Sequence, residues 1–404
     1  MNEELKQELV ENHTVESGVL FPAYENYSFA NVQDTILSIF DQSPESPLPD
    51  SVFGNVGNDF ENVVVILVDG FGLHHWNTYN HPVFQRFEEL GQVTPLTSIY
   101  PSETAAALTG FHTASQPCEH GVIGWNVYEP EWDATFRAFG GEVKSGNELT
   151  DEQRGDISAV PPVYPKLQNR GIDCRHIVPR DTTFDGAELY SYKQGGLSEG
   201  ERMFVNSCKQ SSDPSYTFWY LPQLDAIAHE YGSNSLKYEQ NVYFTFDVIH
   251  HALQQIDCPN TIAILTADHG HFDVDGSIDL EEYQQVMSEL KRHNSGEIVR
   301  YSGSPRNTHL HVQSGSIDRI KHKLSQKLDA VIYSRRDALD AELFGTRELS
   351  DVAKRRIGDL VISHKTHGVW YGSEKEELKQ VGMHGGLRPN EMLIPFATIN
   401  LSDY

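Results

Sequence analysis

Short, uniformly apolar runs alternate with longer amphipathic stretches through most of the chain. The stretch "ENVVVILVDGFG" is apolar at successive positions and ends in Asp-Gly, which predicts a strand buried on both faces. "CRHIVP", "YTFWYLPQLD", "TIAILTADHGH", "DLVIS" and "MLIPFATINL" have the same buried-strand character. Between them, "NVQDTILSIF" and "SLKYEQNVYFTFDVIHHALQQI" are helical stretches. Strand alternating with helix predicts an α/β fold with a mostly parallel central sheet flanked by helices. Residues 1–60 are polar, then helical, then rich in Gly, Asn and Pro, and read as an N-terminal segment packing on the core. Residues 280–355 are more charged and read as a smaller inserted cap, which leaves 61–279 and 356–404 as the core. No internal repeat or low-complexity tract interrupts this plan.

Where this sheet would hold a ligand follows from its topology, because open parallel sheets bind at the carboxyl ends of their strands. Three of the apolar runs lead there into Asp69, Asp225 and Asp268, the last followed by His269. Asp225 and His229 are spaced i, i+4, on one face of a helical turn. His384 sits among glycines in "GMHGG". Three Asp and three His suit zinc, tolerate manganese or iron, and are about the number that two divalent ions at roughly 3.5–4 Å need. "LTSIYPSETAAALTG" adds a helix start, with Ser102 as the expected N-cap and Glu103 and Thr104 in the first turn. Free N–H groups there attract anions, and the small residues after Thr104 are expected to leave room for a bulky group. The Thr104 hydroxyl is a further candidate ligand.

The other histidines have plainer readings. His74 and His75 are expected on a loop or the surface, His309 and His311 show strand spacing, His364 and His367 show helix-like spacing, and His120 packs a turn.

Composition narrows the partners. The 404 residues carry 31 Lys plus Arg against 58 Asp plus Glu, a formal charge of −27. Such a surface repels polyanions, so a nucleic-acid polymer is not the expected partner. The acid excess resembles that of proteins from salt-loving organisms. Cys118, Cys174, Cys208 and Cys258 are scattered without a C-x-x-C pair, as in reduced cytoplasmic proteins. The acidic N-terminus lacks an apolar run and no stretch has the length of a membrane span, so a cytoplasmic protein without a membrane partner is expected.

"VDGFG", "YPSETAAALTG", "HGVIGWN", "LDAIAHEYG", "TADHGH" and "GMHGG" together resemble the ordered motifs of the type I phosphodiesterase/nucleotide pyrophosphatase family, within the alkaline phosphatase superfamily. The resemblance covers roughly residues 60–275 and 360–404. It implies an alkaline phosphatase-like core and two metal ions, zinc by expectation with manganese as the alternative. It implies one ion held by Asp69, Thr104, Asp268 and His269, and the other by Asp225, His229 and His384. It implies Thr104 as a nucleophile that becomes phosphorylated, and Asn126 as a donor to a phosphoryl oxygen. The implied reaction is hydrolysis of a phosphodiester or pyrophosphate bond in a small phosphodiester or nucleotide. Many family members follow the nucleophile with an aromatic residue and an Asn-His pair that shape the nucleotide pocket; this chain has Ala105, Ala106 and Ala107. Two other readings are a phosphomonoesterase of the same superfamily and a metal-stabilised binding protein without turnover. The first needs extra cations, which Arg292, Arg300 and Arg306 of the expected cap would supply if it folded over the site.

Overall fold

Seven strands form the central sheet of the protein, in the order Gln92–Thr97, Leu393–Asn400, Thr261–Thr266, Asn62–Val68, Ser215–Leu221, Asp173–Val178, Glu188–Ser191. The pairings from Thr261–Thr266 through to Glu188–Ser191 are all parallel. Leu393–Asn400 is antiparallel to both of its neighbours. The computed structural model describes the chain apart from residues 1, 16, 43, 182, 211–213, 301 and 371–379, and apart from the side chains of 369 and 370.

Every residue of Asn62–Val68, Ser215–Leu221 and Thr261–Thr266 is buried, which is why these strands read as continuous apolar runs instead of alternating. Helices Val32–Ile39, Pro82–Leu90, Thr104–Thr113, Gly196–Gln210 and Leu236–Gln255 contribute Ile36, Phe87, Phe111, Phe204 and Phe246 to the core around them. Residues before the first strand share that core through Tyr24, Phe29, Val32 and Phe53. Among the described residues, no helix is long and apolar enough to cross a membrane.

A second seven-stranded sheet has the order Ala330–Ser334, Leu360–His364, Asn307–Leu310, Ser302–Gly303, Asn126–Glu129, Ala134–Arg137, Val143–Gly146. Its pairings are antiparallel throughout. Its strands come from 126–146 as well as from 302–364, so it reaches beyond the segment 280–355 on both sides. The alternation signal from 126–146 is short and broken by turns, and nothing local marks it as the partner of a strand far downstream.

His75 and His364 differ from their sequence readings, whereas His120 packs a turn as read. His75 is buried in the helix Leu73–Thr78, with its ring 4.8 Å from that of Tyr238. His364 lies in the strand Leu360–His364, so its spacing to His367 is not helical. His120 closes the short helix Pro117–His120, and its Nδ1 accepts from the Val122 backbone N–H at 3.1 Å.

Four buried histidines make stability acid-sensitive. Burial, reinforced by Arg356, Arg180, Arg335 and Arg306 respectively, pushes His120, His176, His309 and His364 down to about 3. In the unfolded chain each titrates near about 6.5. Above that value both states are neutral and the contribution is complete. As the pH falls towards 3, the unfolded chain binds protons that the folded chain refuses, and stability is lost. The limiting slope for four groups is about 5 kcal/mol per pH unit. Urea unfolding midpoints are therefore expected to be level from pH 8 to 7 and to drop steeply from pH 6 to 4. Midpoints that stay flat down to pH 4.5 would refute this.

Candidate metal centre

The central sheet delivers its chemistry to one edge. Asp69 follows Asn62–Val68 directly, and its backbone N–H donates to Leu221 O at 3.0 Å on the neighbouring strand. Asp268 and His269 follow Thr261–Thr266. The third strand ends at Leu221, and Asp225 sits in the first turn of the next helix, Gln223–Tyr231, with His229 one turn on. His384 comes after Gly382–Met383, a short strand that pairs antiparallel with Phe272–Asp273. Among the described residues, three sets have ligand atoms mutually within 4.8 Å: Asp69, Asp268 and His269; Asp225, His229 and His384; and Asp225, His269 and His271.

Thr104 opens the helix Thr104–Thr113, whose N-cap is Glu103. Ser102 is therefore not the cap: its hydroxyl donates instead to Gly386 O at 2.7 Å, tying the segment before Thr104 to the "GMHGG" loop. Thr104 Oγ1 lies 3.0 Å from His269 Nε2 and 3.4 Å from Asp69 Oδ1. Ala106 and Ala107 belong to the main core, and Ala105 packs with Val122, Val127 and Phe136. Their small size thus serves close packing of the helix and not room for a substrate.

Thr104, Asn126, Arg137, Asp225, His229 and His384 share a cavity of about 260 Å³, together with Glu103 and Trp125. Asn126 is buried at the start of Asn126–Glu129, directly opposite Arg137 in the antiparallel register. Cross-strand partners project to the same face, so the second sheet offers an amide and a guanidinium side by side. Arg137 also pairs with Glu142 at 2.8 Å. Arg292, Arg300 and Arg306 do not line this cavity. Arg306 is fully buried in a two-pronged pair with Glu391 at 2.9 and 2.6 Å, Arg292 bonds Gly296 O, and Arg300 faces Glu281.

The donor set fits divalent cations. His229 Nδ1–H donates to Gly382 O at 2.7 Å, His269 Nδ1–H to Gly270 O at 3.1 Å, and His384 Nδ1–H to Ser102 O at 3.1 Å. Each bond fixes the tautomer and leaves Nε2 as a bare lone pair, as metal-ligating histidines require. Buried Asp268 Oδ2 has no hydrogen-bond partner among the described residues. Burial, then Asp268 and Asp225, push the Asp69 carboxyl well above its ordinary range; burial, then Asp225, push Asp268 up, partly offset by His269. The Tyr220 hydroxyl donates to Asp69 Oδ2. Partial burial opposes ionisation of Asp225, but His229, His271 and His384 outweigh it and hold its carboxyl well below the usual range. Glu103, buried beside Thr104, is pushed up to about 8 by burial, partly offset by the backbone N–H groups of Ala105 and Ala106.

The structure brings Asp69, Thr104, Asn126, Asp225, His229, Asp268, His269 and His384 to one site. His271 joins them unannounced, with Nε2 2.9 Å from Asp225 Oδ1. The signal for it was the second histidine of "TADHGH", two residues after His269 and hence on the same side of an extended segment.

Comparison with known proteins bears on the fold and the family of the chain. The curated human ectonucleotide pyrophosphatase/phosphodiesterase family member 1 is 22% identical over 222 residues, which are 50% of this chain and 23% of that protein. The chain thus spans about a quarter of that relative's length. Murine ectonucleotide pyrophosphatase/phosphodiesterase 5, solved as an inactive variant in complex with AMP, superposes with a TM-score of 0.64 at 15% identity, covering 83% of this chain and 87% of that one. Phosphonoacetate hydrolase from Sinorhizobium meliloti 1021, in complex with phosphonoacetate, gives 0.59 at 16% identity over 83% and 89%. At these identities the likeness is one of fold. The family model described as Type I phosphodiesterase / nucleotide pyrophosphatase matches residues 63–387, which contain each of the sequence-predicted site residues. The chain belongs to the type I phosphodiesterase/nucleotide pyrophosphatase family.

Proposed function

We propose that the chain hydrolyses phosphodiester or pyrophosphate bonds of small substrates at a two-ion centre, through a phosphothreonine formed on Thr104. The observation that carries this reading is the Thr104 hydroxyl, at a helix N-terminus on the cavity wall and 3.0 Å from His269 Nε2. A site built only to hold metal has no need of that hydroxyl. Asp69, Thr104, Asp268 and His269 would hold one ion, and Asp225, His229 and His384 the other; zinc suits the Asp/His donors, with manganese as the alternative. When bound, two such ions lower the pKa of a coordinated hydroxyl and neutralise charge on the attacking and leaving oxygens.

The chain's own groups do the rest. Thr104 Oγ forms the bond to phosphorus as the bond to the leaving oxygen breaks, and water then cleaves the Thr104 ester and restores the hydroxyl. Free N–H groups of the first turn of Thr104–Thr113 face the phosphoryl oxygens. The Asn126 amide donates to one of them. The Tyr220 hydroxyl and the Gly70 N–H, which donates to Asp268 Oδ1 at 3.2 Å, hold the carboxylates in place. The net charge of −27 supports small substrates over nucleic-acid polymers. The buried thiols Cys118 and Cys174 support a cytoplasmic setting.

Arg137 is the observation that favours the phosphomonoesterase reading, since it brings one guanidinium to the cavity. Its pairing with Glu142 offsets that charge, and the diester reading is retained. The deciding measurement is kcat/KM for bis-p-nitrophenyl phosphate against p-nitrophenyl phosphate in one buffer with one metal. The diester is expected to be the better substrate. A tenfold monoester advantage, about 1.4 kcal/mol of transition-state binding, would establish the phosphatase instead.

A further inference from the structure

We propose that His271 is a positioning residue of the metal centre: its Nε2–H donates to Asp225 Oδ1 and aims that carboxylate at the ion held with His229 and His384. His271 stands outside the ligand set that the family resemblance implies. The inference rests on the proposed reading of Asp225, His229 and His384 as metal ligands.

Three imidazole nitrogens converge on Asp225 Oδ1. His271 Nε2 is 2.9 Å away, His229 Nε2 3.4 Å and His384 Nε2 3.5 Å. They are not equivalent. His229 and His384 have their Nδ1–H committed to backbone carbonyls, so each turns a bare lone pair towards a carboxylate oxygen. Lone pair against lone pair is repulsive without a cation between them. His271 is the opposite case. Its Nδ1 is buried and has no hydrogen-bond partner among the described residues. A proton on Nδ1 would be an orphaned donor in the interior, whereas a bare acceptor is the better-tolerated orphan. The proton therefore belongs on Nε2, where Asp225 accepts it. This makes His271 a donor to a ligand and not a ligand itself.

The ring is held where that bond needs it. Phe272 pairs with Met383 in the short antiparallel ladder, which sets His271 opposite His384 with their rings 5.2 Å apart. On the other side the ring packs against Gly70, the residue after Asp69. A Cβ at Gly70 would come within 2.7 Å of both Cδ2 and Nε2 of His271, and Gly70 has φ +72°. Only glycine gives that turn together with that clearance. Hydrogen-bonded partners of ligating carboxylates and imidazoles are a recurring part of metal sites, and their loss typically costs about 10–100-fold in metal affinity.

The test uses the full chain stripped of metal and titrated with zinc against a chromophoric chelator. His271→Leu is expected to weaken one of two ions by about 10–100-fold and to leave the other nearly unchanged. His271→Gln, whose amide nitrogen reaches the Nε2 position, is expected to restore affinity to within a few-fold. His271→Asn, whose amide stops at the Nδ1 position, is not. At saturating cobalt, the visible spectrum of His271→Leu should keep the coordination number of the parent protein. Unchanged zinc affinity in His271→Leu would overturn the proposal, as would a cobalt spectrum showing one ligand fewer. If His271→Leu does not fold, equal affinities of the Gln and Asn variants would overturn it. Asp225→Asn separates the two levels. Its failure to weaken zinc would overturn the metal reading together with the role of His271, whereas its weakening beside parent-like affinity in His271→Leu overturns the role of His271 alone.

Discussion

Replacing Thr104 by alanine is expected to abolish turnover, by about 10⁴-fold or more in kcat, while the fold and metal content survive. The reason lies in how little else the side chain does. Thr104 is the first residue of Thr104–Thr113, and alanine is the better helix former there by a few tenths of a kcal/mol. The hydroxyl's partners are His269 Nε2 and Asp69 Oδ1, which keep Asp268, Gly270 and Tyr220 as neighbours when it is gone. The thermal midpoint of metal-free Thr104→Ala should therefore equal or exceed that of the metal-free parent protein. Thr104→Ser keeps the oxygen and should keep measurable activity. Stopping the reaction rapidly with radiolabelled substrate should leave phosphate on Thr104 of the parent protein and none on the alanine variant. Near-normal turnover in Thr104→Ala, or label trapped on another residue, would refute the covalent mechanism.

The parts of this molecule visible in its sequence are those set by local signals. The buried strands were legible because "VVVILV" and "TIAILT" are apolar at successive positions, as a strand covered on both faces must be. The convergence of the candidate ligands was legible because a parallel sheet carries strand-end residues such as Asp69 and Asp268 to one edge, wherever they fall in the chain. What depends on long-range pairing was not visible. Asn126 and Arg137 become neighbours only through the register of a second sheet whose other strands lie far downstream. Arg292, Arg300 and Arg306 had the right charge for a phosphate but are used elsewhere, Arg306 in a buried pair with Glu391. Ser102 had the right residue type for a cap, yet its hydroxyl is taken by Gly386 O and the helix starts two residues later. His271 was not legible because a histidine two residues past His269 reads as a strand or turn residue until Asp225, from the helix that follows another strand, is seen beside it.

Metal removal carries the second large effect, and it acts on activity and stability together. Asp69, Asp225 and Asp268 bring up to three negative charges to one mostly buried site, where Asp268 is fully buried and Asp225 is 18% exposed. Without cations the site relieves itself only by protonation, which is what the raised Asp69 and Asp268 carboxyls express. Folding thus favours the metal-loaded state, and an unfolded chain, lacking the arrangement, binds the same ions weakly. An ion present at a thousandfold its dissociation constant adds about 4 kcal/mol to stability. With an unfolding entropy of about 2.1 cal/mol/K per residue over 404 residues, each ion then corresponds to about 5 °C in the thermal midpoint. Exhaustive chelation is expected to eliminate hydrolysis and to lower the midpoint by about that amount per ion lost. Two equivalents of zinc per chain should restore both, and one equivalent should restore stability in part and activity hardly at all. This dissociation separates a two-ion catalytic centre from a single structural site. Full activity at one equivalent, or a midpoint indifferent to chelation in protein that has lost its metal, would remove the basis for two ions.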